Sequence, residues 1–197
     1  MKLIEDSRNQ MGKHEIKNAY WRSQGIEVVR HPLPSGDYII VDEKVQDVLD
    51  RKEKRGIPPK SMDFLGTYTV TCDVKNSIQE LAMDVCGKQH ARFRDQCILN
   101  QNNGIQLYIL VENESFTIPR TNVVSPYIGK LEDLHKWINP RLWIRKGGKQ
   151  AYPNATRGVT LMKSCYTMEK KYGCKFVFCR PRDAGKTIID LLTGGKP

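Results

Sequence analysis

The chain is expected to fold as an α/β domain, a mixed central sheet flanked by helices, and three observations predict it. The β-branched and aromatic run TYTVTCDVK (67–75) passes directly into a helical pattern. After the next helical stretch comes IQLYILVE (105–112), a near-continuous apolar run of the kind buried on both faces of a parallel sheet. A strand followed by a helix also opens the chain, so strands and helices alternate as layered α/β proteins require.

Each element has its own reason. MKLIE is a short opening strand. From His14 to Ser23 the helical template i, i+3, i+4, i+7 falls on Ile16, Ala19, Tyr20 and Ser23, and Gly25 ends the run. IEVVRHPL and DYIIV read as strands, and the turn Pro34-Ser35-Gly36 between them predicts a hairpin. Residues 42–66, with the charge run RKEKR (51–55), Gly56, Pro58 and Pro59, are an insertion carrying a helix and a mobile loop.

After the central strand, Ile78, Leu81, Ala82 and Val85 mark one helix face, and Ser77-x-x-Glu80 has capping-box spacing at its start. A second helix covers roughly 89–101. Leu131, Leu134, His135 and Ile138 mark a short helix, residues 160–172 another, and KFVFCR a last strand before TIIDLL. No stretch rich in Gly, Ser or Pro separates two units, so 1–197 reads as one domain: a core over 1–115 and a C-terminal extension over 116–197.

Composition narrows the function. In 197 residues, 32 Lys and Arg stand against 22 Asp and Glu, and a net charge of +10 makes nucleic acid the first partner to test. With 39% apolar and 27% charged residues the chain can bury a normal core, which excludes a disordered tail or a fibrous protein. Six cysteines without a C-x-x-C pair point to a reducing compartment and no zinc site. The charged N-terminus lacks a signal-peptide core and no run of about 18 apolar residues occurs, so a cytoplasmic or nucleoid-associated location is expected.

Residues i and i+2 of a strand share a face, so Asp73 and Lys75 project together while Val74 turns away. Asp37, directly after a glycine turn at a strand start, is a second carboxylate positioned to meet the first. Two converging carboxylates repel unless a cation neutralises them, and hard oxygen ligands suit Mg²⁺ or Mn²⁺. The lysine is then placed to orient and help deprotonate a metal-bound water attacking a phosphodiester. Taken singly, each motif is more often a solvated charge pair or a plain turn.

The order of motifs is more specific than any one of them. Glu5-Asp6-Ser7-Arg8, Pro34-Ser35-Gly36-Asp37-Tyr38, Asp73-Val74-Lys75, Arg92-Phe93-Arg94-Asp95-Gln96 and Leu110-Val111-Glu112 together resemble the nuclease domain of XPF-type structure-specific endonucleases. That resemblance implies the restriction-endonuclease-like core of the PD-(D/E)XK superfamily. It implies Asp6, Asp37 and Asp73 as metal ligands, Lys75 as the catalytic lysine, and Arg92 and Gln96 as DNA-facing residues one helical turn apart. The expected activity is a Mg²⁺-dependent (or Mn²⁺-dependent) DNA endonuclease favouring branched or single-to-double-strand junctions. The chain departs from the pattern at Asn9, where the family has glutamate, at Asp73 in place of glutamate and at Val74 in place of arginine. The acid expected four residues after the lysine falls on Gln79, with Glu80 one place late. The family's tandem helix-hairpin-helix module, which binds DNA and dimerises, has no counterpart, and a homodimer is left open.

Outside the core, Arg145, Lys146 and Lys149 with Trp143 and Tyr152 form a basic, aromatic loop suited to DNA, although Trp137 and Trp143 could equally anchor the loop. RKEKR reads better as a solvated face, and His90 is given no role. RPRDAGKT imitates a phosphate-binding loop, but Arg180 stands where its first glycine must be. The rival reading is a catalytically inactive XPF-like module that only binds DNA or a partner. Retention of Asp37, Asp73 and Lys75 together argues against it.

Overall fold

The computed structural model describes residues 1–10, 12 and 14–194. Strand β1 (Lys2–Asp6) leads through α1 (Glu15–Ser23) to β2 (Glu27–His31), then β3 (Tyr38–Ile40), α2 (Glu43–Lys54) and a 3-10 turn at Ser61–Phe64. Next come β4 (Val70–Lys75), α3 (Ile78–Cys86), α4 (His90–Asn102) and β5 (Gln106–Glu112). The small strands β6 (Phe116–Thr117), β7 (Val124–Ser125), β8 (Arg145–Lys146) and β9 (Lys149–Gln150) precede α5 (Gly158–Tyr172), β10 (Lys175–Cys179) and α6 (Ala184–Leu192).

Six strands form one mixed sheet in the order β10-β5-β4-β3-β1-β2, with β3 antiparallel to both neighbours and every other pair parallel. The expected α/β class is therefore observed. On one face α1 and α6 cover Leu3, Cys72, Val74 and Leu110. On the other, α3, α4 and α5 cover Leu107, Ile109 and Val111, while Val45 and Val48 of α2 and Phe64 pack on Ile4 and Ile39. The period-2 alternation of β4 consequently turns Asp73 and Lys75 toward α3 and α4.

The α3 face is as expected, since Ile78, Leu81, Ala82 and Val85 are all buried. Two other expectations need correction. β2 and β3 form no hairpin because β1 lies between them: Ser7 N donates to His31 O at 3.0 Å and Asp6 N donates to Asp37 O at 2.8 Å, so the end of β1 occupies both. The segment 32–37 therefore crosses over the end of β1.

In α1 the buried face is Lys17 and Trp21, one residue along from the apolar template, and Ile16 is 63% exposed. Two polar anchors rotate the helix. Lys17 pairs with the buried Glu112, and Trp21 Nε1 donates to Gly185 O at 3.0 Å. The same contact accounts for Gly185 in the phosphate-loop look-alike. A Cβ there would lie 2.7 Å from the Tyr20 ring, so the glycine lets α6 close on α1.

Candidate active site

The site grows from the pleat of β4. Lys75 Nζ lies 2.9 Å from Asp73 Oδ2, on the same face as expected, and 2.7 Å from Asp84 Oδ2 on α3. Its ammonium also sits 5.6 Å from the centre of the Phe93 ring. Burial alone pulls the Lys75 pKa down, but Asp73 and Asp84 in contact outweigh it and the net direction is upward. Lys75 is thus a fixed cation at neutral pH.

Asp37 is delivered by the glycine turn. Gly36 adopts φ +74°, and a Cβ there would stand 2.0 Å from Thr71 Oγ1, so no other residue fits without moving β4. Asp37 N donates to Cys72 O at 2.7 Å, and Val74 N donates back to Asp37 Oδ2 at 2.7 Å. The carboxylate is thereby locked across from Asp73. Its pKa is pushed up to about 7, first by loss of hydration and then by the Asp73 charge, against the hydrogen bond from Val74 and the more distant Lys75. Asp73 Oδ2 is buried and, although in ion-pair contact with Lys75, receives no aligned hydrogen bond.

Asp6, the third expected ligand, pairs with Arg8 at the cleft. Its Oδ1 accepts from Arg8 N at 3.2 Å, Arg8 Nε at 3.1 Å and Leu33 N at 3.3 Å, while Oδ2 accepts from Arg8 Nε at 2.9 Å. Both oxygens are occupied, so Asp6 fixes the Arg8 guanidinium, which it also meets through Nη2 at 2.7 Å.

Asp6, Asp37, Asp73, Arg92 and Gln96 all line one open cleft of about 620 Å³. Arg8, Asn9 and Asp95 line it too, three residues to which sequence reasoning gave no part in binding. Lys75 stands behind Asp73, outside the lining. Asp84 was missed as well, because it lies nine residues after Lys75 on a different element and only the return of α3 along β4 brings them together. Among the described residues no three His, Cys, Asp or Glu side chains converge as a closed metal cage. A carboxylate pair with an open side is instead the donor set of a hard cation that retains waters and takes substrate oxygens. The buried Asp73 carboxylate, and Asp37 beside it with its elevated pKa, fit that group.

Other expected residues fall elsewhere. Ser77 Oγ accepts from Glu80 N at 3.1 Å as the capping box requires, but Glu80 Oε2 reaches one residue further back, to Asn76 N at 2.9 Å. Glu80 is a helix-start residue, and Gln79 faces away from Lys75, along other surface openings. His90 Nδ1 lies 2.7 Å from Val85 O at the α3–α4 junction. Arg145, Lys146 and Lys149 sit on the β8–β9 hairpin and do not line the cleft. No described helix is long and apolar enough to cross a membrane.

Comparison with known proteins agrees with this geometry. The ERCC4 domain model matches residues 6–190. Among solved structures, XPF from Aeropyrum pernix aligns with a TM-score of 0.53 and 14% identity, over 98% of this chain and 63% of that one. The chain therefore spans less than two thirds of that structure's length, and at such identity the likeness is one of fold. No curated protein matches the sequence. With the family model extending over nearly the whole chain, the chain belongs to the ERCC4 domain family and has the fold of an XPF-type nuclease domain.

Proposed function

We propose that the chain is a metal-dependent DNA endonuclease that cuts branched or single-to-double-strand junction DNA. The observation that supports the reading is the pair Asp37 and Asp73, brought together at the cleft as Asp37 N donates to Cys72 O and Val74 N donates to Asp37 Oδ2. A like-charged pair forced together by the scaffold is unfavourable without a cation, and nothing in the packing of the sheet requires it. Asp37 and Asp73 would hold Mg²⁺ or Mn²⁺, which when bound supplies Lewis acidity and an activated water.

The chain's own residues do the rest. Lys75, clamped by Asp73 and Asp84, stays charged and stabilises negative charge developing at the phosphate. Arg92 and Gln96, one turn apart on α4, face the DNA backbone across the cleft, and Asp6 keeps Arg8 extended along its rim. The net charge of +10 favours the polyanion throughout.

The test is cleavage of labelled flap, fork, four-way and linear DNAs in Mg²⁺, Mn²⁺ or EDTA. Metal-dependent cutting of branched forms that disappears in Asp73→Asn supports the reading. DNA binding with no cutting under any metal refutes it in favour of an inactive binding module.

A further inference from the structure

Residues 134–168 contain no Asp or Glu and seven Lys or Arg. This acid-free stretch includes an arm, residues 139–156, built as an ordered projection. Gly147 and Gly148, at φ +56° and +77°, form the turn that lets β8 pair with β9 and puts Arg145, Lys146 and Lys149 around one tip. Its root is tied down: the buried Asn139 donates through Nδ2 to Thr156 O at 2.9 Å and accepts from Arg141 N at 3.0 Å through Oδ1. Trp137 is buried and anchors the arm to the core, whereas Trp143 and Tyr152 remain 46% and 42% exposed.

Between the root of the arm and the outer face of α3 lies a pocket of about 410 Å³. Tyr152 forms part of its wall, with Arg141 stacked 5.8 Å from the ring centre. Gln79 forms another part, and its side-chain oxygen is buried without a hydrogen-bond donor. The pocket thus combines a held aromatic face and a cation beside a uniformly basic hairpin. An apolar protein groove has no use for the charge, and a duplex cannot enter a recess of this size. The complementary ligand is a single strand, with phosphates on the hairpin and an unpaired base against Tyr152. The pocket is lined by α3 and the cleft by the neighbouring α4, so the two openings lie on adjacent helices.

We propose that this arm and pocket form a second DNA site, specific for the unpaired strand of a junction whose paired part lies in the cleft. It rests on the reading of the cleft as a DNA site. The test measures binding of the full chain to labelled single-stranded, duplex and forked oligonucleotides, comparing the unmodified protein with Tyr152→Ala and with the triple variant Arg145→Ala, Lys146→Ala, Lys149→Ala. Loss of one stacked base at ~1–3 kcal/mol predicts a fall of roughly 5- to 150-fold in single-strand affinity for Tyr152→Ala, with duplex affinity changed less than about twofold. Single-stranded DNA should also quench the fluorescence of Trp143, the tryptophan left exposed beside buried Trp21 and Trp137. Equal losses on single strand and duplex, or unchanged affinity and unquenched fluorescence while the unmodified protein still binds and cuts forks, overturn the arm proposal alone. Failure of the unmodified protein to bind any of these DNAs overturns the cleft reading with it.

Discussion

Replacing Asp37 with asparagine removes one charge from the pair while keeping the shape, and the amide oxygen can still accept from Val74 N as Oδ2 does at 2.7 Å. In the unfolded chain Asp37 titrates near its ordinary 3.8, and in the metal-free fold near 7. The folded state therefore binds the proton more tightly, and the wild-type protein is relatively favoured below pH 4 and loses that advantage as pH rises through 7. The full interval corresponds to ~4 kcal/mol at 1.36 kcal/mol per pH unit, and because Asp37 titrates as one of a pair with Asp73, about half of it, ~2 kcal/mol, is expected for Asp37 alone. Urea unfolding in EDTA should accordingly find Asp37→Asn more stable than wild type by about 2 kcal/mol at pH 8, with the gap closing toward pH 4. Adding Mg²⁺ at pH 8 should narrow it from the other side, since the cation stabilises only the protein that binds it. A variant that is equally or less stable than wild type at pH 8 in EDTA would refute the claim that the fold forces these carboxylates together.

Asp73→Asn and Lys75→Ala should each abolish cleavage of forked DNA by at least about 100-fold while leaving fork binding within a few-fold, measured by gel assay and anisotropy. Glu80→Gln should keep near wild-type cleavage because glutamine can accept the same bond from Asn76 N, whereas Ser77→Ala should cost about 1 kcal/mol in urea unfolding without loss of activity. Gly36→Ala should destabilise the fold by at least ~1–3 kcal/mol, since its Cβ would meet Thr71 Oγ1 at 2.0 Å at a positive φ, and a melting curve superimposable on wild type would disprove the enforced turn.

What could be read beforehand followed from local periodicity and motif order. The α3 face is fixed by four apolar residues at helical spacing, and the pleat alone puts Asp73 beside Lys75. The α1 face was misread because its burial is decided by partners far away in sequence, Glu112 for Lys17 and Gly185 for Trp21. The hairpin reading failed for a related reason: Pro34-Ser35-Gly36 specifies a sharp change of direction, but the identity of the strand lying alongside depends on β1, which no local pattern encodes. Asp84 escaped notice in the same way: it matched no motif yet meets the lysine.

The antiparallel placement of β3 divides the sheet into two parallel blocks, β2 with β1 and β4 with β5 and β10, joined by a three-residue strand that pairs with β4 at the single position Tyr38–Cys72. That junction is a seam, reinforced by the bonds from Asp37 N to Cys72 O and from Val74 N to Asp37 Oδ2 and by the Thr71 hydroxyl 3.1 Å from Tyr38 O. The carboxylate pair straddles it, Asp37 at the start of the joining strand and Asp73 on the β4 block. Any ligand that bridges the two acids is therefore also a rivet between the halves of the protein, and the opening of the seam and the integrity of the site are one equilibrium. Amide exchange at Asp37 and Val74 is where that equilibrium can be read without cutting any DNA.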